Sequence, residues 1–141
     1  MTPCFFCEPI ASPLHADDHV IAVMHDDRAV AGHCMVASRR HVENASDLTA
    51  DEWAHFARVQ RIVERAVLGS TGSSRAILFK LGLQTPHLHI HIYPVPASMD
   101  RAEVMRAIDG RTRVAMTEDE SSVLHAETSR RIRESLSGVA T

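Results

Sequence analysis

Three histidines at alternate positions, His87, His89 and His91, stand in the stretch TPHLHIHIYP at 85–94, with Leu88, Ile90 and Ile92 between them. On an extended chain this alternation gives one imidazole face and one apolar face, with successive rings about 6.5 to 7 Å apart. Such a row can grip a polyanion, bind a metal, or do both. Pro86 limits the strand at its start and Pro94 at its end. Two upstream stretches carry further chemistry: Cys4 and Cys7 form a C-x-x-C, and AGHCMVASRRHV at 31–42 carries His33 and His41. A redox C-x-x-C normally opens a helix after a strand, whereas this one has Pro3 before it and Glu8-Pro9 after it. The metal reading is therefore preferred, as half of a site that needs two more ligands from elsewhere in the chain. Free thiols on a frayed terminus are the alternative.

Positioning these groups requires a sheet. The run HVIAVMH at 19–25, bounded by Asp26-Asp27, predicts a strand, and HCMVA at 33–37 its antiparallel partner, with Gly32 in the turn. The mostly apolar run 75–83 predicts a strand that meets the histidine strand through a short turn at Gln84-Thr85, forming a hairpin. Thr49 to Glu52 is a capping box. The helix it opens carries Trp53, Phe56, Val59, Ile62 or Val63, and Ala66 or Val67 at helical spacing, and Gly69 supplies its stop. That stripe reads as core packing rather than a cofactor site. From Ala97 the chain reads as an appendage: Ser98 or Asp100 caps a short helix ending near Gly110, and Thr117 to Glu120 is a second capping box. The charged helix that follows has only a thin stripe of Val123, Leu124, Ile132 and Leu136. Packing on the domain edge, contact with a partner and partial disorder all stand open for 111–141, and the last residues read as frayed. We accordingly divide the chain into residues 1–96 and a C-terminal helical extension, 97–141, packed on or near the same domain.

A chain of 141 residues, 45% hydrophobic, with six glycines and six prolines, fits one compact domain with a single core. The formal charge is −3 with basic residues scattered, so duplex nucleic acid and anionic membrane are not expected partners. Residues 1–10 lack a signal peptide's basic start and apolar run, and no segment approaches the roughly 18 to 20 apolar residues of a membrane span, so a cytoplasmic location is expected. Three cysteines do not make a disulfide framework there, and Cys34, in an apolar stretch, reads as a buried thiol.

CFFC at 4–7, AGHCMVASRRHV at 31–42, the capped helix from Thr49 and TPHLHIHIYP at 85–94 together cover most of residues 1–95. With these stretches the chain resembles the histidine triad nucleotide hydrolases and transferases, in their zinc-containing bacterial-type branch. The coupling of an H-φ-H-φ-H strand to an upstream G-H-x-φ-φ-x-x-x-x-H is far more specific than either half alone, and 97–141 takes no part. The resemblance implies an α+β fold, an antiparallel sheet of about five strands with helices on one face, and pairing into a homodimer through the long helix and its neighbouring strand.

The middle histidine is best placed as nucleophile, because neutral imidazole attacks phosphorus well and same-face neighbours can hold the non-bridging oxygens. The resemblance accordingly implies in-line attack by His89 on the α-phosphorus of a nucleoside phosphoramidate or dinucleoside polyphosphate. The covalent nucleotidyl-histidine is then hydrolysed, with His91 and His33 lining the phosphate site. Donors fixed in advance come from imidazole N–H groups, the Thr85 hydroxyl and backbone amides near 84–86. No metal is needed for this step. In members with an N-terminal C-x-x-C, a structural zinc is completed by the histidine ending the second motif and the first of the triad, here His41 and His87 beside Cys4 and Cys7. Departures from the pattern bear on the substrate. The acidic residue that usually holds the ribose falls at position 25, which is His25 here, leaving Asp26 or Asp27 to serve. Gln84 and Thr85 lie three and two residues before His87 rather than four and three. Histidine at 91, where the transferase branch has glutamine, leans toward hydrolysis. Two other readings stand beside this one: a metalloenzyme with His89, His91 and His33 around an open-site metal, and a binding module that keeps the pocket without turnover.

Overall fold

The structure, a computed structural model, describes residues 3–25, 29–110 and 116–139. Five strands, β1 (His15–Ala16), β2 (Val20–Met24), β3 (Cys34–Ser38), β4 (Arg75–Phe79) and β5 (His89–Val95), form one antiparallel sheet in the order β1-β2-β3-β5-β4. Three α-helices complete the α+β fold: α1 (Ala50–Thr71), α2 (Arg101–Ile108) and α3 (Glu118–Leu136). Among the described residues no helix is long and apolar enough to cross a membrane.

Strand alternation decides which face does what. Val20, Ala22, Cys34, Val36 and Ile92 project to one face and pack against Phe56, Val59, Val63, Ala66 and Val67 of α1, with Ile132 and Leu136 of α3 closing the same core. The opposite face carries Ile21, Val23, Met35 and Ala37, covered by Phe6 of the N-terminal segment. Its far end holds Tyr93 and Val95, covered by Val104 and Ala107 of α2. Only α1 and α3 thus share the face expected of all helices, because the odd-numbered apolar residues of β5 also need cover. Register puts His89 opposite Ala37 and His91 opposite Met35 and Phe79, so β5 is an interior strand and both its histidines point to the α2 face.

Several boundaries differ from those read in the sequence. Helix α1 passes through Gly69 and ends at Gly72, a left-handed C-cap with φ 69°, whose amide bonds to the Leu68 carbonyl. Gly69 is instead a place where α3 comes close, since a Cβ there would stand 2.8 Å from Arg131 Nη1. Trp53, expected in the buried stripe, is 40% exposed and stacks on Phe56. Strand β4 stops at Phe79, and the connection to β5 is the nine residues 80–88 rather than a tight turn, with Gly82 at φ 67°. Pro94 does not end β5; β3 has already stopped opposite Ile92, so Pro94 is paired with β4 alone. All three α-helices open on a formed capping box, Thr49 with Glu52, Asp100 with Glu103 and Thr117 with Glu120. The Glu52 carboxylate also takes two bonds from Arg40, at 2.8 and 3.1 Å, which ties the chain entering His41 to the start of α1.

Candidate active site and metal-ligating cluster

His87 does not lie within β5. It sits two residues before it, where the Leu88 amide bonds to the Val42 carbonyl and the Ser38 amide to the Leu88 carbonyl. From there its ring reaches the N-terminal cysteines. Its Nδ1 is 3.4 Å from Cys4 Sγ, 3.6 Å from Cys7 Sγ and 3.1 Å from His41 Nδ1, and Cys7 Sγ is 3.2 Å from His41 Nδ1. Zinc held tetrahedrally by two sulfurs and two nitrogens would set ligand–ligand edges of about 3.3 to 3.8 Å. These four edges lie within a few tenths of an ångström of those values, and all four donor atoms lie within 4.8 Å of one another. The proton inventory fits as well: His87 Nε2–H donates to the Ser38 carbonyl at 2.6 Å, which leaves the lone pair on Nδ1, the atom turned to the sulfurs. The four residues are a donor set for a borderline divalent ion, and the residues that the resemblance implied meet in space although 83 residues separate Cys4 from His87.

His89 begins β5 and is 7% exposed. Its Nδ1–H donates to its neighbour's carbonyl, His87 O, at 2.6 Å. In the neutral ring the lone pair then belongs to Nε2, and the ring is held by a bond along its own strand. The Phe6 ring lies against both imidazoles, 5.4 Å from His87 and 4.9 Å from His89. One aromatic side chain of the N-terminal segment thus couples the metal-ligating cluster to the candidate nucleophile.

His91 stands next along the face, its ring 5.0 Å from that of His89. Its Nδ1 is hydrogen bonded to His33 Nε2 at 2.8 Å. His33 lies behind it, 5% exposed, stacked between His25 (4.2 Å, 16°) and Tyr93 (3.9 Å, 23°). Burial, reinforced by His25 and His91, holds the His33 imidazole far below its ordinary range. Burial first, and then His89 and His25, lowers His91 to about 4. At neutral pH both rings are uncharged, so any phosphate would meet N–H donors here rather than imidazolium charge. Cys34, in the other face's core, is fully buried and its thiol is pushed up by burial.

A cavity of about 420 Å³ opens beside these residues, lined by His25, His89, His91, Gln84 and Thr85 on its polar side. Its apolar side is Phe5, Phe6, Met24, Met35, Leu81 and Leu83. His33 does not line it and reaches it through His91. Asp26 and Asp27 lie outside the described residues. The open-metal grouping of His89, His91 and His33 is not what assembles: among the described residues, the three imidazoles whose nitrogens all lie within 4.8 Å of one another are those of His25, His33 and His91. The sequence reading missed the apolar wall and the stacking of His25 on His33. Met35 was legible as the residue facing His91 once the strands were paired; Leu81 and Leu83 were not, because they read as strand and are 55% and 79% exposed.

An antiparallel sheet carrying His89 and His91 on an interior strand, above a cavity and beside a Cys/His cluster, defines the histidine triad class. The family model described as HIT domain matches residues 11–96, and the chain belongs to that family. An uncharacterised HIT-like protein of Methanocaldococcus jannaschii is 28% identical over 102 residues, covering 64% of this chain and 78% of that one. Among solved structures, a hypothetical histidine triad nucleotide-binding protein of Sulfolobus tokodaii superposes with a TM-score of 0.66 at 20% identity, covering 94% of this chain and 93% of the other. A zinc-bound histidine triad family protein of Mycobacterium smegmatis does so with a TM-score of 0.60 at 17% identity, covering 90% and 94%. At these identities the structural likeness establishes the fold.

Proposed function

We propose that this chain hydrolyses nucleotide conjugates, nucleoside phosphoramidates or dinucleoside polyphosphates, at the α-phosphate through a covalent nucleotidyl-histidine. The observation that carries the reading is the bond from His89 Nδ1–H to the His87 carbonyl, which leaves the Nε2 lone pair on a residue that lines the cavity. That lone pair forms the N–P bond while the leaving group departs with the electrons of its own bond to phosphorus and takes up a proton. Water then attacks the phosphorus, the N–P bond breaks, and His89 is restored with the nucleotide released. Uncharged His91, its ring orientation set by His33 behind it, donates to a phosphoryl oxygen, and Thr85 and Gln84 bind from the facing loop. The apolar wall of Phe5, Leu81 and Leu83 suits a nucleobase. Asp26 or Asp27 would take the ribose hydroxyls.

In this reading zinc is structural. Cys4, Cys7, His41 and His87 would hold it, and its chemistry is to cross-link the N-terminal segment to the sheet without entering the reaction. The chain acts as a homodimer; the outer edge of β4, with Leu78 exposed beside it and Trp53 exposed on α1, supports that surface. Incubation with adenosine and guanosine phosphoramidates and dinucleoside polyphosphates tests the proposal. A mass increase of one nucleotidyl group on the peptide spanning 85–94, and loss of both adduct and turnover in His89→Gly with the fold retained, are expected. Turnover unchanged in that variant would overturn the nucleophile, and no turnover or adduct across the panel in folded protein would overturn the activity.

A further inference from the structure

His25, His33 and His91 form a second group of metal-competent side chains, separate from the one at the N-terminus. Position 25 is where the resemblance leads one to expect an acid. The histidine found there is not turned away: it lies flat on His33, 4.2 Å between centroids at 16°, and its centroid is 5.8 Å from that of His91. Tyr93 closes the other side of His33, so the ring cannot swing out without disrupting a stack on both faces. His33 and His91 already bring two nitrogens to 2.8 Å. An imidazole pair around a metal has an N–N edge of about 3.3 Å, so accepting an ion requires this pair to open by about half an ångström. The proton now shared between the two rings must also move to the far nitrogen of its own ring, a tautomeric shift that leaves the charge unchanged.

Three imidazole nitrogens without thiolate favour divalent first-row transition ions, and three protein ligands leave coordination positions open. Two of the three rings, His25 and His91, line the cavity that holds His89, so the open side of such an ion faces that space. His89 itself is not in the group, since its ring nitrogens do not lie within 4.8 Å of all three of the others. We propose that His25, His33 and His91 are a second metal site, binding one divalent transition ion on the wall of the substrate cavity. An ion there presents its open positions to an anionic group such as a phosphate. The inference depends neither on nucleotidyl transfer nor on which ion fills the Cys/His cluster.

Cobalt(II) separates the two sites in the full chain, because thiolate ligands give intense near-ultraviolet charge-transfer bands that an all-imidazole site lacks. After metal stripping and titration with Co²⁺, the unaltered protein is expected to take up two ions per chain, only one developing the thiolate bands. His25→Asn should keep the thiolate bands, which report an intact fold, and lose the second ion. Cys4→Ser with Cys7→Ser, if it folds, should show the reverse. Uptake of a single ion by the unaltered chain, or a second ion bound equally well by His25→Asn, would overturn the site. Because occupancy is read without turnover, failure here leaves the hydrolase reading untouched, and failure of that reading leaves this one.

Discussion

Asp17 organises a part of the molecule remote from the cavity. One carboxylate oxygen accepts from Nε2 of both His15 (2.7 Å) and His55 (2.6 Å), and the other accepts the amides of His19 and Val20, each at 2.8 Å. A single side chain, 7% exposed, thereby fastens the β1–β2 turn to α1. Burial alone would raise its pKa; the bonds from His15, His55 and the two amides outweigh it and hold the carboxyl well below the usual carboxylate range. Since the folded pKa is depressed, the stabilisation is present above the unfolded value of about 4 and is lost as pH falls through the folded one. Asp17→Asn keeps the shape but removes the charge and turns one acceptor oxygen into a donor amide, which meets donors on every side. We expect it to cost about 2 to 4 kcal/mol at pH 7, with the gap to the unaltered protein closing below about pH 4. Urea midpoints of both proteins from pH 7 down to pH 3 check this, and a gap that is flat with pH would contradict the charge-based account. The same cluster explains why His15 and His55, two of ten histidines, belong to stability rather than chemistry.

At the scale of elements, Gly32 is the joint that delivers His33. It has φ 89°, and a Cβ on it would stand 2.8 Å from Thr71 Cγ2 at the end of α1 and 3.1 Å from Pro94 Cγ on β5. The turn between β2 and β3 can therefore sit between the end of α1 and β5 only without a side chain. Gly72 is also left-handed, at φ 69°, but nothing lies within 4 Å of its Cβ position. Gly32→Ala should cost about 2 to 4 kcal/mol, strain and overpacking together, and Gly72→Ala about 1 kcal/mol from backbone conformation alone. Comparing the two denaturation midpoints isolates the steric part, and equal losses would mean that the turn relaxes freely.

Over the whole molecule, α3 is continuous with the core. Ile132 is fully buried among the side chains of α1, Ser70 Oγ is 2.8 Å from Thr128 Oγ1, and Arg133 donates to the Ser12 carbonyl in the N-terminal segment at 3.0 Å. We infer that 97–141 unfolds with the rest in one transition. Ile132→Ala should then lower the stability of the entire protein by about 2 to 4 kcal/mol, whereas Val123→Ala, on a residue 71% exposed, should stay within about 0.5 kcal/mol. Monitoring the single tryptophan, Trp53 on α1, reads the effect at a distance from the substitution. A change confined to helix content, without a shift in the Trp53 transition, would make α3 an independent appendage.

Local rules were enough for what depends on local spacing. Capping boxes at Thr49 and Thr117 marked helix starts because side chain and amide lie three residues apart. Alternation marked the strand that begins at His89, with His89 and His91 on one face, because that period is two, although His87 lies before it. It was the family resemblance, rather than local spacing, that named the four donors at 4, 7, 41 and 87 that come together. Tertiary structure alone decided which glycine ended α1, why Trp53 faces solvent, and that Ile132 and Leu136 of the α3 stripe find a buried seat while Val123 stays exposed. It also decided that His25 stacks on His33 and that Asp17 joins two histidines 40 positions apart. Each of these turns on residues brought together from distant parts of the chain, where neither periodicity nor propensity carries information about the neighbour.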